Sequence, residues 1–241
     1  MTELTIYAAG SLRHAFNALL PLARRATGCA VKVEFGPAGL LRRRIELGER
    51  PALFASANLD HPRYLQNVGL VREVYPFATN RLCVTVRNTP ELTEPPLLEV
   101  LCDPRWRVAT STPGDDPGGD YALQLFDRVE QQRPGKGAAL AQRARALVGG
   151  ARCQPLPPGR MAAEYLLNEG LADLFPGYAS HAAALSAFTN LAVRMLPPAL
   201  TVTARYGCGL LSGHPDARAL LQVILSAEGQ TCLRAHGFGG L

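Results

Sequence analysis

The sequence predicts an α/β fold in which mixed, mostly parallel sheets are flanked by helices. Three observations carry this expectation. Short apolar runs alternate with stretches of helical spacing through the first third of the chain. The apolar runs close on small or turn-forming residues, as at Gly10-Ser11 and Gly36-Pro37, before each helical stretch begins. Finally, 241 residues with 47% hydrophobic content suffice for a well-buried core, as one large domain or as two small lobes.

The elements follow in order. Leu4 to Ala8 reads as a strand. Ser11 then stands as a helix N-cap before Leu12, Phe16, Leu19 and Leu20 at helical spacing. Val31 to Phe35 is a second strand, followed by a helix through Leu40, Leu41, Ile45 and Leu47 that ends at Gly48. Ala52 to Ala55 is a third, short strand. Arg81 to Arg87 is another, followed by a Pro-containing linker through Pro96. A second βα region has a strand at Arg107 to Thr110 and a polar Gly/Pro/Asp loop. Helices are expected from Tyr121 to Gln131 and from Gly137 to Val148. A further helix spans Arg160 to Asn168. Leu171 to Phe175, Leu191 to Leu196 and Val202 to Leu211 are strands, and Pro215 to Leu225 and Glu228 to Ala235 are closing helices.

Composition excludes several classes. No run of 18 apolar residues occurs, so no membrane-spanning helix is expected. The first apolar run begins at Leu4, which leaves no room for a signal peptide in this sequence. The formal charge is +5, and nearly all the basic residues are arginines, the lysines being Lys32 and Lys136. A nucleic-acid partner needs its charge gathered on one face. The tight cluster here, Arg42-Arg43-Arg44, lies beside Glu46 and Glu49 and reads as a salt-laced helix face, so no nucleic acid is expected. The six cysteines contain no CxxC pair, and Cys83 and Cys208 sit in apolar runs as small buried hydrophobes. The histidines (His14, His61, His181, His214 and His236) are scattered, and no Gly-x-Ser-x-Gly elbow accompanies them. The expected protein is not an enzyme.

Parallel α/β sheets present ligands at the carboxyl ends of strands, where helix N-termini begin. Four such ends stand out: Gly10-Ser11, Ala38-Gly39 after Gly36-Pro37, the run Ser111 to Tyr121 with Gly118-Gly119, and Gly159-Arg160-Met161. Ser11 either caps its helix or offers a hydroxyl to a ligand. Neither a GxGxxG fingerprint nor a Walker lysine is present, so nucleotide chemistry is not expected. Asp115 and Asp116 read as Asx-type turn residues rather than as calcium ligands.

The same runs resemble the periplasmic molybdate-binding proteins of ABC importers, in the type 2 solute-binding superfamily. Ala8-Ala9-Gly10-Ser11-Leu12, Phe35 to Leu41, Pro51 to Ala57 and Phe77 to Leu82 carry the likeness in the first third. Ser111 to Ala122 is its most specific run. Gly159-Arg160, Glu169 to Phe175, Tyr178, Leu225 to Gln230 and His236-Gly237-Phe238 follow in family order.

The resemblance implies a two-lobed periplasmic binding protein type 2 fold. Lobe 1 would comprise residues 1–82 and 205–241 and lobe 2 residues 83–204, with crossovers near 78–85 and 200–208. It implies a monomer that binds a small tetrahedral oxyanion, molybdate or tungstate, in an interlobe cleft and delivers it to an ABC permease. Neutral donors would hold the oxyanion, with no cofactor and no side chain bound to the metal. Ser11 matches a hydroxyl donor, Gly118 and Arg160 or Met161 match amide positions, and Tyr178 matches the family tyrosine; Gly10, Ala38, Gly39 and Gly119 complete the implied site. Ala38 stands where the family usually has a second serine, Ala52 replaces an aspartate, and Tyr178-Ala179-Ser180-His181 departs from the usual tyrosine run. A lost donor costs about 1.5–3 kcal/mol if the anion is left underbonded, which weakens molybdate or retunes the pocket. The protein is expected in the periplasm if a leader was removed, and in the cytoplasm if Met1 is the native start. The alternatives are an intracellular oxyanion sensor or carrier, or a receptor or enzyme for a different small anion on the same fold.

Overall fold

A computed structural model describes residues 3–213 and 215–240; Met1, as a native start, and His214 lie outside the described residues. In chain order the elements are β1 (Glu3–Ala9), α1 (Arg13–Thr27), β2 (Ala30–Gly36), α2 (Ala38–Glu46), β3 (Leu53–Ser56), α3 (Asp60–Asn67) and β4 (Glu73–Arg87). There follow α4 (Pro90–Thr93), α5 (Leu97–Cys102), β5 (Ala109–Ser111), α6 (Pro117–Gln132), α7 (Lys136–Arg143), β6 (Arg145–Val148) and α8 (Ala162–Asn168). The chain finishes with β7 (Leu174–Tyr178), α9 (Ala182–Leu185), β8 (Leu191–Met195), β9 (Thr203–Leu210), α10 (Pro215–Leu225) and α11 (Ala227–Ala235).

The chain forms two compact units, Met1–Asn80 with Ala204–Leu241, and Arg81–Thr203. The boundaries fall two residues and one residue before those expected at 82/83 and 204/205. The first lies inside the continuous strand β4, where no turn signal marks a division.

In the first unit β1 pairs in parallel with β2 on one side and β3 on the other, and β3 pairs antiparallel with β9. Ile6, Ala8, Phe54, Ala55 and Tyr206 are buried, so the sheet is covered on both faces, as parallel sheets require. Helix α1 buries Ala15, Phe16, Leu19 and Ala23 and packs against α10 and α11. It ends where Gly28 adopts φ 67° and returns its N–H to the Arg24 carbonyl.

In the second unit β4 pairs antiparallel with both β7 and β8, while β5 and β6 pair in parallel. Helices α5, α6 and α7 pack on one another. Gly119, in the first turn of α6, lies so close to the loop before it that a Cβ would stand 2.5 Å from the Ser111 carbonyl oxygen and the Pro113 nitrogen. Only glycine fits there. Asp173, 3% exposed, ties this unit together: it accepts the Arg107 backbone N–H at 2.8 Å and pairs with the Arg107 and Arg87 guanidinium groups at 2.9 and 2.7 Å.

Several expected elements differ: the strand expected over Leu171–Phe175 is β7 at Leu174–Tyr178, and the helix expected from Tyr121 starts four residues earlier, at Pro117 behind its Asp116 cap. The helix expected over Gly137–Val148 stops at Arg143, and Arg145–Val148 is strand β6, because pairing with β5 overrides the helical propensity of Arg-Ala-Leu. Strand β4 begins at Glu73, eight residues before the expected start. Ser11 does not cap α1: it lies within a 3-10 turn (Gly10–Leu12), and its hydroxyl bonds elsewhere.

Candidate functional site

The parallel register sets the carboxyl ends of β2, β1 and β3 side by side: Ala9 lies opposite Gly36, and Ala8 opposite Ala55. The segments that leave these strands therefore start next to one another within the first unit. From β1 comes half-buried Ser11, whose Oγ lies 2.9 Å from the Tyr206 hydroxyl. Tyr206, on β9, is fully buried, and its ring is held edge-on by Phe77 and Phe238 at 6.1 and 5.3 Å between centroids. From β2 comes α2, whose start at Ala38 and Gly39 is buried and carries no side-chain cap. Its first-turn N–H groups have no acceptor within the helix. From β3 comes a buried polar relay in which Ser56 donates to Asn58 Oδ1 at 2.9 Å and that oxygen accepts the His61 N–H at 3.1 Å. This relay fixes the β3–α3 loop. The Arg13 guanidinium lies 4.6 Å from the ring centroid of Phe35, one residue before the end of β2, and adds a cation near these ends.

Gly10 is exposed beside Ser11, with open space where a Cβ would stand. The first unit thus assembles Gly10, Ser11, Ala38 and Gly39. It adds Tyr206, which sequence reasoning missed: it sits in an apolar strand, and a single polar tip in such a run is weak evidence for function.

The implied donors of the second unit are differently occupied. Gly118 N–H donates to Asp116 Oδ1 at 2.9 Å, and Gly119 N–H to the Asp116 carbonyl at 2.9 Å. Asp116 is thus the N-cap of α6, with Pro117 at the first helical position. Burial pushes its carboxyl up to about 6, against the opposing pull of hydrogen bonds from Gly118 and Ser111. At α8, Arg160 is bound to Glu164, with Nε at 2.7 Å from one carboxylate oxygen and Nη2 at 2.6 Å from the other. The same carboxylate accepts from the Asn168 side-chain amide at 3.0 Å. The Arg160 hydrogen bonds hold Glu164 below the usual carboxylate range despite its burial. Tyr178, 8% exposed at the end of β7, packs edge-on against Tyr121 and His181, each at 6.4 Å.

His14 is exposed on α1. His61 is buried beside Arg42, and burial first, then that cation, lowers its pKa to about 4, so the ring is neutral at pH 7. Among the described residues no cluster of three or more His, Cys, Asp or Glu is arranged to hold a metal ion.

A parallel-sheet unit with small residues, a hydroxyl pair and an uncapped helix at adjoining strand ends can offer several hydrogen-bond donors to one small ligand. Residues 4–239 match the family of bacterial extracellular solute-binding proteins, and the chain belongs to that family. It is 40% identical over 235 residues, 97% of each chain, to an uncharacterized protein of Pasteurella multocida. Two solved structures share the fold over nearly the whole chain. One is the periplasmic molybdate-binding protein of Azotobacter vinelandii (TM-score 0.74, 19% identity, 98% of each chain covered). The other is L-phospholactate-bound PEB3 of Campylobacter jejuni (TM-score 0.76, 13% identity, 99% of this chain and 100% of that one).

Proposed function

We propose that this protein captures a small tetrahedral oxyanion, molybdate or tungstate in first place, and passes it unchanged to an ABC permease. It does so as a periplasmic monomer. The observation that carries this reading is the Ser11–Tyr206 hydroxyl pair, beside the uncapped start of α2 in the register of two parallel strands. Hydroxyls and first-turn amides supply hydrogen-bond donors and the positive end of a helix dipole without a neutralising cation. Such donors hold an anion tightly and still release it, because no opposite full charge must be parted from it. Arg13 adds long-range attraction for anions over neutral solutes.

On the second unit, Asp116 already satisfies the Gly118 amide, and Glu164 stands at the start of α8 bound to Arg160. An anion gains the Gly118 hydrogen bond only by displacing a carboxylate, so the first unit provides the primary contacts. Molybdate and tungstate are separated from sulfate by radius, since all three are tetrahedral dianions.

Titration calorimetry against molybdate, tungstate, sulfate, phosphate and L-phospholactate tests the proposal. Micromolar or tighter binding of molybdate and tungstate, with sulfate at least about tenfold weaker, is expected. Heat with L-phospholactate alone would replace the proposed ligand by a phosphorylated organic acid, and heat with none of the five would end the oxyanion reading.

A further inference from the structure

The second unit contains a cavity of about 580 Å³ that uses none of the residues assigned above to the oxyanion. Its walls come from α4, α5, the turn after α5, and the junction between α6 and α7. This volume falls in the range of small-molecule sites, about 300–1,000 Å³. The apolar part is furnished by Pro95, Leu98, Val100 and Pro104, and beside them stands Trp106, the sole tryptophan of the chain.

Each acid around the cavity is engaged by an arginine or by hydrogen bonds. Asp103 is held by Arg105, whose Nε and Nη2 lie 2.9 and 2.6 Å from Oδ2. Glu91 is kept below the usual carboxylate range by its own backbone N–H and then by the Thr89 hydroxyl. Glu99 faces Arg133 at 3.7 Å. Lys136, at the start of α7, has no acidic partner within salt-bridge distance among the described residues. Trp106 is half-buried, with the Arg105 guanidinium 5.3 Å from its ring centroid, and its indole N–H has no protein acceptor among the described residues and is open to solvent or a ligand. Arg143 stands behind the wall and donates to the Leu101 and Asp103 carbonyls at 2.7 and 3.0 Å, which adds a second cation close to the cavity. The acids are thus engaged, while one ammonium and one indole N–H remain as donors beside an apolar surface.

We infer that this cavity is a second binding site, for a small amphipathic monoanion: an aromatic or aliphatic ring bearing one carboxylate. The ring lies against Leu98, Pro104 and Trp106, and the carboxylate accepts from Lys136 and the indole N–H. A dianion without an apolar body, such as molybdate, gains nothing from the apolar wall and is not the ligand here. The inference does not depend on the oxyanion reading, because the two sites share no residue.

The single tryptophan makes the test direct, since ¹⁵N-labelled protein gives one indole N–H resonance. Benzoate is the probe, with benzamide as its uncharged counterpart. Benzoate is expected to move the Trp106 indole peak saturably, with a dissociation constant of about 1 mM or below. Lys136→Ala should weaken this at least about tenfold, the usual consequence of losing a charge-assisted hydrogen bond. Benzamide should bind at least about tenfold more weakly than benzoate, and Ser11→Ala should leave benzoate binding unchanged. A shift that stays linear in concentration would overturn the inference. So would equal affinity for benzoate and benzamide, or a Lys136→Ala variant that keeps the parent's indole spectrum and binds benzoate like the parent.

Discussion

Removing the Ser11 hydroxyl separates its contribution to ligand binding from its contribution to folding. In the free protein Ser11→Ala deletes the 2.9 Å bond to Tyr206. A neutral hydrogen bond is worth about 1 ± 0.5 kcal/mol, and Ser11 is only half-buried, so the cost to folding lies near the low end. For a chain of this length each kcal/mol moves Tm by about 2–4 °C, so a loss of roughly 1–4 °C is expected. Against an oxyanion the same hydroxyl faces a charged acceptor and is worth about 1.5–3 kcal/mol. That converts to a Kd increase of roughly 10- to 150-fold. Tyr206→Phe is the companion variant. It keeps the ring between Phe77 and Phe238 and removes only the hydroxyl, so its Tm should change little more than that of Ser11→Ala. Its oxyanion affinity falls if the hydroxyl pair acts as one unit. Calorimetric titrations at fixed ionic strength, with thermal melts of the same samples, provide both readouts. If Ser11→Ala binds molybdate within twofold of the parent, the strand-end site is misassigned.

Three further outcomes follow from the same structure. Ala38→Ser places a hydroxyl at the start of α2 and should tighten molybdate several-fold by calorimetry; an unchanged or weaker Kd would show that the position supplies no donor. Carboxyl ¹³C titration of Asp116 should read about 6, and a value at or below 4 would contradict its burial. Because the folded value is raised, the stability linked to Asp116 is fully present below its ordinary pKa of about 4 and is lost as pH rises through about 6. Asp173→Ala leaves Arg87 and Arg107 without their shared carboxylate and should cost about 2–3 kcal/mol, less than a fully buried pair because both arginines are partly exposed. Burial raises the pKa of Asp173, but the Arg107 hydrogen bonds and the two guanidinium charges hold it below the ordinary value. Its stabilising contribution is therefore present above about pH 4 and is lost as pH falls through the lowered value. Equal acid sensitivity of the parent and Asp173→Ala in urea melts would refute this.

The first unit was largely legible in the sequence, because its signals are local. Three short apolar runs and the Gly36-Pro37 turn set out β1, β2 and β3 in order, and parallel pairing then places their ends together. Where reading failed, the deciding interaction lay far along the chain or ran against a local rule. Strand β4 runs through Pro76, although a proline cannot donate to a ladder. The segment Arg145–Val148 has good helix formers, yet parallel pairing with β5 takes it. Helix α3 was not anticipated, although Asn58, which accepts the His61 N–H, was a local signal that could have found it. The Ser11 hydroxyl bonds a residue 195 positions away, which no window of sequence reveals.

The candidate donors illustrate the same limit more sharply. Their positions at helix starts could be read from Gly118-Gly119 and from Arg160-Met161, because small residues and turn formers announce where a helix begins. Whether an amide is vacant depends on the rotamer of a nearby carboxylate. Asp116, two residues before Gly118, and Glu164, three after Met161, each sit at the spacing at which side chains reach back to helix-start amides. The sequence therefore held the competing signal all along: a helix start preceded by Asp, or followed three residues later by Glu, carries its own anion. Among the four starts considered, α2 has Pro37 before it and Leu41 three residues after Ala38, with no acidic side chain at either capping position. On this argument the α2 start is the more available anion site, and a search of strand-end segments for ligand donors should first set aside those whose own acids can cap them.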